Sequence, residues 1–453
     1  MNQATAAFIQ ENADGDIRQL ALRGTKDPEV DLTFALDQIV GRQTARKKLP
    51  SWAAVEGVVY PPHLSMEQCS SEQTARYKAE MAGRGQRMVD LTGGFGVDFS
   101  FIAQGFSEAV YVERQPQLCD IARQNFDVLG LRQAEVVCAD SEDYLRQMAP
   151  VDLIYIDPAR RDSHGGRTYG ISDCTPDVVA LMPLLTAKAR RVIIKLSPML
   201  DWRKAVSDLG EQYVGKVHIV SVGNECKEMV VETKKTQTHP RPLPVGRGVI
   251  TPIACVNILS NDYIQTFHSA LPSSSNNGVE ASLPSSSNNG VEALLPSSSN
   301  NVVEALLSCS GNYSPPFREG PGVGLCLFLY EPNASIMKAG CFAELSQHYG
   351  IAPVARDSHL FVSADEVDGF PGRSFVIDAV TTLNKRDLKV HLAGIRQANI
   401  TVRNFPLTVA ELRKRLKLSE GGSTYIFATT LANGEKVLLI CHKTATPPQQ
   451  RRA

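Results

Sequence analysis

The sequence lacks the features that mark metal-binding, secreted or membrane proteins. Its ten cysteines include no Cys-x-x-Cys pair, a common spacing of zinc ligands, so no metal is expected. Some of the cysteines lie in apolar runs, as Cys138 does, which favours a reducing compartment, and we expect a cytoplasmic location. We find neither a basic segment leading into an apolar one at the start nor a run of about 18 apolar residues anywhere, so no signal peptide, membrane span or membrane partner is expected.

The chain also lacks a large net charge. The total of −1 does not by itself indicate a polyanionic partner, but residues 373–453 contain 14 Lys or Arg against 5 Asp or Glu. Such a basic end is compatible with nucleic-acid binding and equally with a solvated basic helix. The basic residues that could neutralise phosphates in this region are Arg403, Arg413, Lys414, Arg415 and Lys417.

Hydrophobic spacing and composition divide the chain into segments. A length of 453 residues suggests about two to four domains at roughly 100–200 residues each. The segments are 1–85, with helical spacing; 86–240, with alternating strands and helices; 241–269, a connector; 270–312, a repetitive insert; and 313–370 and 371–445, two small α/β segments.

Residues 86–240 have the rhythm of a parallel sheet covered by helices. Seven strands are predicted, at 88–91, 109–112, 134–137, 153–156, 192–196, 217–222 and 229–232. Helical stretches separate the first five, so these strands are expected to be parallel. The last two are too close for a crossover of about a dozen residues and must form an antiparallel hairpin.

The insert repeats the heptapeptide Leu-Pro-Ser-Ser-Ser-Asn-Asn from Leu271, Leu283 and Leu295. Each repeat offers too few apolar residues to bury a face against its neighbour, so a solenoid is excluded. We expect a disordered segment without a function of its own.

A glycine-rich segment at 89–98 follows the first predicted strand and precedes a helix, which lets the backbone approach a ligand closely. Acids follow the next three strands, where open α/β sheets bind ligands. An acid after the second strand can bind ribose hydroxyls, and one after the third could hold an adenine amino group. The candidate cofactor residues are Asp90, Thr92, Gly93, Gly94, Phe95, Gly96, Asp98, Glu113, Arg114, Asp140, Ser141 and Asp157.

A dinucleotide site is the structural alternative, because it also uses a glycine turn and an acid after the second strand. The spacing Gly93-x-x-Gly96 departs from G-x-G-x-x-G. The Asp157-Pro158 pair after the fourth strand and the closing hairpin favour S-adenosylmethionine (SAM) instead.

The segment from Asp90 to Gly96, with Glu113, Asp140 and Asp157-Pro158, resembles the signature of class I SAM-dependent methyltransferases, in a form similar to that of certain RNA methyltransferases. The resemblance implies an α/β fold with a Rossmann-like sheet of five parallel strands plus an antiparallel hairpin, an N-terminal helical region before it and a small C-terminal α/β module after it. It also implies SAM as the cofactor.

Further motifs resemble a bacterial group of methyltransferases with a C-terminal THUMP-like domain. They lie at 330–340, 358–361, 373–375 and 412–418. The resemblance implies that 313–370 is a ferredoxin-like segment and 371–445 a THUMP-like domain. Since THUMP domains bind RNA, it further implies a tRNA or rRNA substrate, with no obligate protein partner evident.

The fourth strand ends at the candidate catalytic residues Asp157, Pro158 and Arg160. In amino-methyltransferases a related motif holds the target amine on a side chain and a backbone carbonyl, so an amine such as N2 of guanine is a possible target. The aromatic residue of that motif is absent here. Arg160 could stack on a base or bind phosphate, and Tyr169 or Tyr155 could supply a ring.

Several alternatives stay open from the residues alone. Cys174 could attack a pyrimidine, although no cation near it in sequence would activate its thiol. Lys195 could contact a phosphate or be structural, and residues 224–228 could shape the substrate pocket or form a plain turn. The substrate could be a protein or small molecule, and the chain could be a non-catalytic RNA-binding protein.

Overall fold

The structure is a computed structural model, which describes residues 2–160, 170–234, 250–259, 262–272 and 327–444. The chain divides into two compact units. The first comprises residues 1–264 and 270–274, and the second comprises 265–269 and 275–453. Within the described residues, no helix is long and apolar enough to cross a membrane, and no group of three or more His, Cys, Asp or Glu side chains is placed to hold a metal ion.

The first unit begins with helices, as the spacing of its apolar residues predicts. They are α1 (Gln3–Glu11), α2 (Ile17–Arg23), α3 (Leu32–Lys48), α4 (Pro50–Ala53), α5 (His63–Gln68) and α6 (Glu72–Ala82). Asp16, Asp31 and Ser71 cap α2, α3 and α6 by accepting a hydrogen bond from a first-turn amide, which satisfies donors that a helix leaves unpaired. Trp52 and Tyr60 share a buried cluster with Phe95 and Phe101, so these helices pack against the glycine-rich segment.

The remaining elements begin as the expected alternation of strands and helices and end in four consecutive strands, the last of which has residues 265–269 in the second unit. They are β1 (Gly85–Asp90), α7 (Val97–Ile102), β2 (Phe106–Glu113), α8 (Pro116–Val128), β3 (Ala134–Cys138), α9 (Ser141–Gln147), β4 (Val151–Ile156), β5 (Ala159–Arg160), β6 (Cys174–Thr175), α10 (Val178–Lys188), β7 (Ala189–Leu196), α11 (Trp202–Leu209), β8 (Val214–Val222), β9 (Glu225–Thr233), β10 (Ile250–Ile258) and β11 (Ile264–Pro272).

Nine of these strands form one sheet in the order β11-β10-β8-β9-β7-β4-β1-β2-β3. Strands β3, β2, β1, β4 and β7 are parallel, and β9 runs antiparallel to both β7 and β8. The predicted five parallel strands and closing hairpin are therefore confirmed. Parallel order brings the carboxyl ends of β1, β2, β3 and β4 to one edge, which positions the site described below.

Two strands of this sheet were not predicted. The segment 241–269, interpreted as a connector, contains β10, which pairs in parallel with β8, and most of β11. The apolar run at 253–256 is buried and is typical of a strand covered on both faces, but a short apolar run does not by itself distinguish a strand from a buried helix. Residues 270–272 of the predicted insert end β11, and 273–312 lie outside the described residues.

The second unit contains one further sheet. Its elements are β12 (Leu327–Pro332), α12 (Ala334–Ala339), α13 (Phe342–Tyr349), β13 (Ala352–Pro353), β14 (Phe361–Ser363), β15 (Gly372–Thr381), α14 (Lys385–His391), β16 (Asn399–Arg403), α15 (Val409–Leu416), β17 (Thr424–Thr430) and β18 (Lys436–Lys443). The strand order is β13-β14-β12-β15-β18-β17-β16. Because β12 pairs with β15, the two small segments distinguished in the sequence share a single sheet.

Helices α12 and α13 are separate although only Gly340 and Cys341 lie between them. Gly340 has a left-handed backbone conformation with a φ of 71° and ends α12, and a second helix starts two residues later. Glycine adopts this conformation without steric cost and commonly ends helices in this way.

Candidate functional site

The glycine-rich bend connects β1 to α7 at the carboxyl edge of the large sheet. Asp90 is buried, and its Oδ1 accepts a hydrogen bond of 2.9 Å from the Thr92 amide, while burial raises the pKa of this carboxyl. Gly94 and Gly96 have φ values of 56° and 84°, in a region that strains other residues. Asp90 thus shapes the bend from within the protein.

Gly93 lies directly against the ring of Tyr111 on β2. A Cβ atom at this position would lie 2.2 Å from a ring carbon, and the Gly93 amide donates a 2.9 Å hydrogen bond to the carbonyl of Val112. The Tyr111 hydroxyl donates to the carbonyl of Gly94. The bend is therefore held on β2 at a distance that only glycine permits.

We expect Gly93→Ala to weaken the binding of S-adenosylhomocysteine by about 10- to 100-fold, because overpacking of roughly 1–3 kcal/mol would displace the bend. Isothermal titration calorimetry measures the effect. Gly83→Ala is the control: with a φ of 69° it strains the end of α6, but nothing lies within 4 Å of the added Cβ, so it should bind as the wild type does. Unchanged affinity of the Gly93 variant would contradict a ligand at this bend.

Glu113 ends β2 and faces the bend. Its Oε2 accepts a hydrogen bond of 3.0 Å from the Gly94 amide, and its Oε1 accepts one of 2.9 Å from the Gln115 amide. The side chain is thus held in one orientation. Each carboxylate oxygen can accept a second hydrogen bond, so Glu113 retains capacity for the two hydroxyls of a ribose. Arg114 beside it is exposed.

Asp140 follows β3 and caps α9. Its Oδ1 accepts hydrogen bonds from the amides of Glu142 and Asp143, at 2.9 and 3.3 Å. The cap is a structural role, but it uses only Oδ1. The other oxygen can accept a hydrogen bond from an exocyclic amine, and Ser141 lies next to it at the start of the helix.

Asp157 follows β4 and joins the bend to β7. Its backbone amide donates a 2.6 Å hydrogen bond to Oγ1 of Thr92, and its Oδ2 accepts one of 2.6 Å from the ammonium of Lys195. The carboxyl is 37% exposed and thus accessible, whereas Pro158 is buried. The Arg160 side chain and Tyr169 lie outside the described residues.

Asp98 does not present a free carboxylate to a ligand, contrary to expectation. Its Oδ2 accepts 2.7 Å hydrogen bonds from the hydroxyls of Ser70 and Tyr155, and Lys78 Nζ lies 3.0 Å from Oδ1. Burial disfavours its ionised form, but the ammonium groups of Lys78 and Lys195 outweigh burial and lower the pKa of Asp98. Asp98 therefore anchors α7 beneath the bend.

Lys195 was expected to contact a nucleic-acid phosphate or to be structural, and the structure pairs its charge within the protein. Its Nζ lies 2.6 Å from Asp157 and 3.7 Å from Asp98. Burial favours the neutral amine, yet the two carboxylates raise the pKa of Lys195 above its ordinary value. A charged Lys195 thus holds Asp157 in position.

The ionic cluster extends to residues that sequence reasoning missed. Lys78 on α6 is fully buried, and its Nζ lies 2.6 and 2.9 Å from the two carboxylate oxygens of Glu228 on β9. Burial raises the pKa of Glu228 although Lys78 opposes this. A signal was present, because Lys78 shares the buried face of α6 with Ala75 and Ala82, and a lysine there requires a partner.

Phe95 has a structural role in addition to its expected place at the site. Its ring packs edge-on against Trp52, with centroids 5.0 Å apart, so it fastens the bend to the N-terminal helices. Tyr155 is core, since it is buried and donates to Asp98. Cys174 is buried as well, and its neighbours Thr175 and Pro176, rather than Cys174, line the cavity at the site.

One cavity of about 240 Å³ brings these residues together. Every residue proposed from the sequence to bind the cofactor lines it: Asp90, Thr92, Gly93, Gly94, Phe95, Gly96, Asp98, Glu113, Arg114, Asp140, Ser141 and Asp157. A glycine bend that a ligand can approach closely, an acid for vicinal hydroxyls and an acid for an exocyclic amine fit the adenosine part of SAM.

In the second unit, the basic candidates fall into two groups. Arg403 lies 2.9 Å from buried Glu331, which also pairs with Arg373, and Arg413 lies 3.0 Å from Glu420. Lys414, Arg415 and Lys417 are exposed. The charge of Arg403 is therefore compensated by Glu331, which favours a structural role over the expected contact with nucleic acid.

Comparisons with known proteins agree with this architecture. Residues 372–443 match the family model described as THUMP domain-like, and residues 328–371 match that of a ferredoxin-like domain. The crystal structure of a proposed methyltransferase from Porphyromonas gingivalis W83 is 29% identical over 98% of each chain, with a TM-score of 0.75. A search of the curated proteins found no match. These findings confirm the resemblance drawn from the sequence.

Two other solved structures align with parts of the chain. An rRNA methylase from Streptococcus thermophilus is 16% identical over 37% of this chain and 95% of its own, with a TM-score of 0.28. A tRNA (m1A58) methyltransferase from Aquifex aeolicus is 13% identical over 40% of this chain and 78% of its own, with a TM-score of 0.30. At these scores the two carry no argument about function.

Proposed function

We propose that this chain, in which a class I methyltransferase fold precedes a ferredoxin-like and a THUMP-like domain, transfers a methyl group from SAM to a base of tRNA or rRNA. The observation that carries the proposal is the convergence of the glycine bend, Glu113, Asp140 and Asp157 on one cavity. Each lies at the carboxyl end of a successive strand, where an α/β sheet binds its ligand.

Three groups would hold the cofactor. Amides of the bend approach it closely, Glu113 accepts from its ribose hydroxyls, and Asp140 accepts from the adenine amino group. When bound, SAM supplies a methyl group already activated on a sulfonium. The protein must therefore align the acceptor and exclude water.

Asp157 would hold the acceptor. Its Oδ2 is bonded to Lys195, which leaves Oδ1 to accept a hydrogen bond from a target amine, such as N2 of guanine. The carbonyl of Pro158 can accept a second hydrogen bond from the same amine. Two acceptors on one rigid strand end would fix the direction of the amine lone pair toward the methyl group that SAM supplies, and Oδ1 of Asp157 would take the proton that the methylated amine loses.

RNA is proposed as the substrate because of the second unit. Its THUMP-like domain carries exposed Lys414, Arg415 and Lys417 at the end of α15. Cations grouped on an exposed helix end can neutralise neighbouring phosphates.

Transfer from labelled SAM tests the proposal. The protein is incubated with total RNA, protein and metabolite fractions, and nucleoside mass spectrometry then identifies the modified base. We expect label in RNA, and transfer at least about 100-fold slower with Asp157→Ala. Label in protein or metabolites alone would refute the RNA substrate, and absence of SAM binding in calorimetry would refute the catalytic function.

Two sets of variants separate structural from RNA-binding basic residues. Arg403→Ala should lower the free energy of unfolding by about 1–3 kcal/mol, because buried Glu331 loses a partner, without changing RNA affinity. Lys414→Ala with Arg415→Ala should leave stability unchanged and reduce the salt dependence of RNA binding by roughly 0.7 per lost contact. Thermal melts by circular dichroism and RNA titrations at several salt concentrations measure both. Weaker RNA binding by Arg403→Ala, together with unchanged RNA binding by the double variant, would show that the two groups are misassigned.

A further inference from the structure

A second cavity, of about 820 Å³, adjoins the cofactor cavity within the first unit. The two cavities share the wall residues Gln68, Cys69, Ser70 and Lys195. Lys195 is the residue bonded to Asp157, so a molecule in the second cavity lies next to the group proposed to hold the acceptor. A volume in this range is typical of sites for small organic ligands.

Lysines dominate the charges on this wall. Four line it, namely Lys47, Lys48, Lys195 and Lys227, against the two acids Glu67 and Glu228. Glu228 is compensated by Lys78 and Lys195 by Asp157, each at 2.6 Å, which leaves Lys47, Lys48 and Lys227 against Glu67 on the wall. The cavity therefore favours an anionic occupant.

The lysines on its rim are accessible. Lys47, in the last turn of α3, is exposed, and the side chain of Lys227 is 44% exposed in a surface pair with Glu225. Such an exposed ion pair stabilises the protein little, so Lys227 can leave Glu225 and bind a phosphate at a small cost in free energy. Lys48 Nζ donates to the carbonyls of Met66 and Glu67, at 2.9 and 2.7 Å, which holds its charge at the wall.

The wall also offers neutral hydrogen-bonding groups. Its uncharged polar side chains are Gln43, Thr44, Gln68, Ser70, Ser71 and Thr74. Hydroxyls and amides can bond sugar hydroxyls and base edges, while ammonium groups bind phosphates as point charges. A nucleotide presents phosphates, sugar hydroxyls and a base edge, and so matches this combination of wall groups. An acidic peptide presents carboxylates but no sugar, and matches it less well.

We propose that this second cavity is the acceptor site, and that it takes the target nucleotide of an RNA strand whose phosphates contact Lys47 and Lys227. The inference rests on the proposed function. It gives the N-terminal helices a role in binding substrate, because α3 supplies Lys47 and Lys48 and the α5–α6 segment supplies the wall shared with the cofactor.

Fluorescence anisotropy with a labelled single-stranded oligoribonucleotide, in the presence of S-adenosylhomocysteine, tests the inference. We expect Lys47→Glu with Lys227→Glu to weaken binding at least tenfold and to reduce the salt dependence by roughly 0.7 per lost phosphate contact. The matched control is Lys26→Glu with Lys204→Glu, two exposed lysines outside both cavities. Calorimetry should give the same affinity for S-adenosylhomocysteine in all three proteins.

Equal RNA affinity of the Lys47/Lys227 variant and the control would overturn the inference and leave the proposed function standing, since RNA would then be held elsewhere. Label from SAM in protein or metabolites alone would overturn both. As a second measurement, RNA containing 4-thiouridine is photo-crosslinked to the wild-type chain. Crosslinks in the peptides carrying Lys47 or Lys227 support the acceptor site, and crosslinks confined to residues 409–417 overturn it.

Discussion

Replacing Asp157 with alanine is expected to lower the rate of methyl transfer by roughly 100- to 1,000-fold, the usual effect of losing one precisely placed hydrogen-bonding group at a reacting atom. The affinity for S-adenosylhomocysteine should stay within about threefold of wild type, because less than about 0.7 kcal/mol of cofactor contact would be lost. The physical reason is geometric. The backbone amide that holds Asp157 against Thr92 at 2.6 Å is unchanged by the substitution, and only the carboxylate that faces the acceptor disappears.

Single-turnover assays with labelled SAM and calorimetry with S-adenosylhomocysteine measure the two quantities separately. Asp157→Asn is the matched variant, since it retains an oxygen acceptor but loses the ion pair with Lys195, and it should be intermediate. Asp177→Ala is the control, because Asp177 caps α10 and lines neither cavity. An equal loss of rate and cofactor affinity in Asp157→Ala would mean that Asp157 binds cofactor and does not hold the acceptor.

Replacing Lys78 with methionine is expected to lower the free energy of unfolding of the first unit by about 3–5 kcal/mol, the usual cost of leaving a buried charge without its partner. Lys78 is fully buried, with its ammonium 3.0 Å from Asp98 and 2.6 Å from Glu228. Methionine fills a similar volume, so the expected loss of stability comes from the missing charge and not from altered packing. Asp98 and Glu228 would remain buried with only Lys195 nearby.

Urea denaturation followed by tryptophan fluorescence measures this effect directly. The chain has two tryptophans, and Trp52 and Trp202 are both buried in the first unit. Lys204→Met, which breaks an exposed pair with Asp208, is the control and should cost about 0–1 kcal/mol. Adding Glu228→Gln to Lys78→Met should recover part of the loss. A Lys78 variant as stable as the control would contradict a compensating role for this lysine.

The alternation of apolar strands and helical stretches was sufficient to predict the central sheet. Strands β1 to β4 are bounded by glycine turns or capped helices. Because helical stretches separate these strands in the sequence, parallel order is the expected topology. Strands β10 and β11, of nine residues each, were missed because the apolar run at 253–256 does not by itself distinguish a strand from a buried helix. Their place in the sheet depends on the pairing of β10 with β8, more than thirty residues earlier in the chain.

The same contrast holds within the site. Gly93, Glu113, Asp140 and Asp157 were predicted because parallel topology alone brings strand ends together. The side-chain roles of Asp98, Phe95 and Lys195 were not predicted, because they depend on partners from α4, α6 and β9. These elements are far from the three residues in the sequence, and no local pattern reveals the contacts. Lys78 and Glu228 lie 150 residues apart in the sequence, so their ion pair can be recognised only in the folded structure.

The amino-acid sequence by itself determined the class of the fold, the succession of seven strands, β1 to β4 and β7 to β9, and the residue types at the carboxyl ends of the first four, because hydrophobic period and turn chemistry act over short distances. Only the tertiary structure decided which charges face a ligand and which compensate one another inside the protein. Burial makes an unpaired charge costly, so the partner of each ion is chosen by contacts between distant segments.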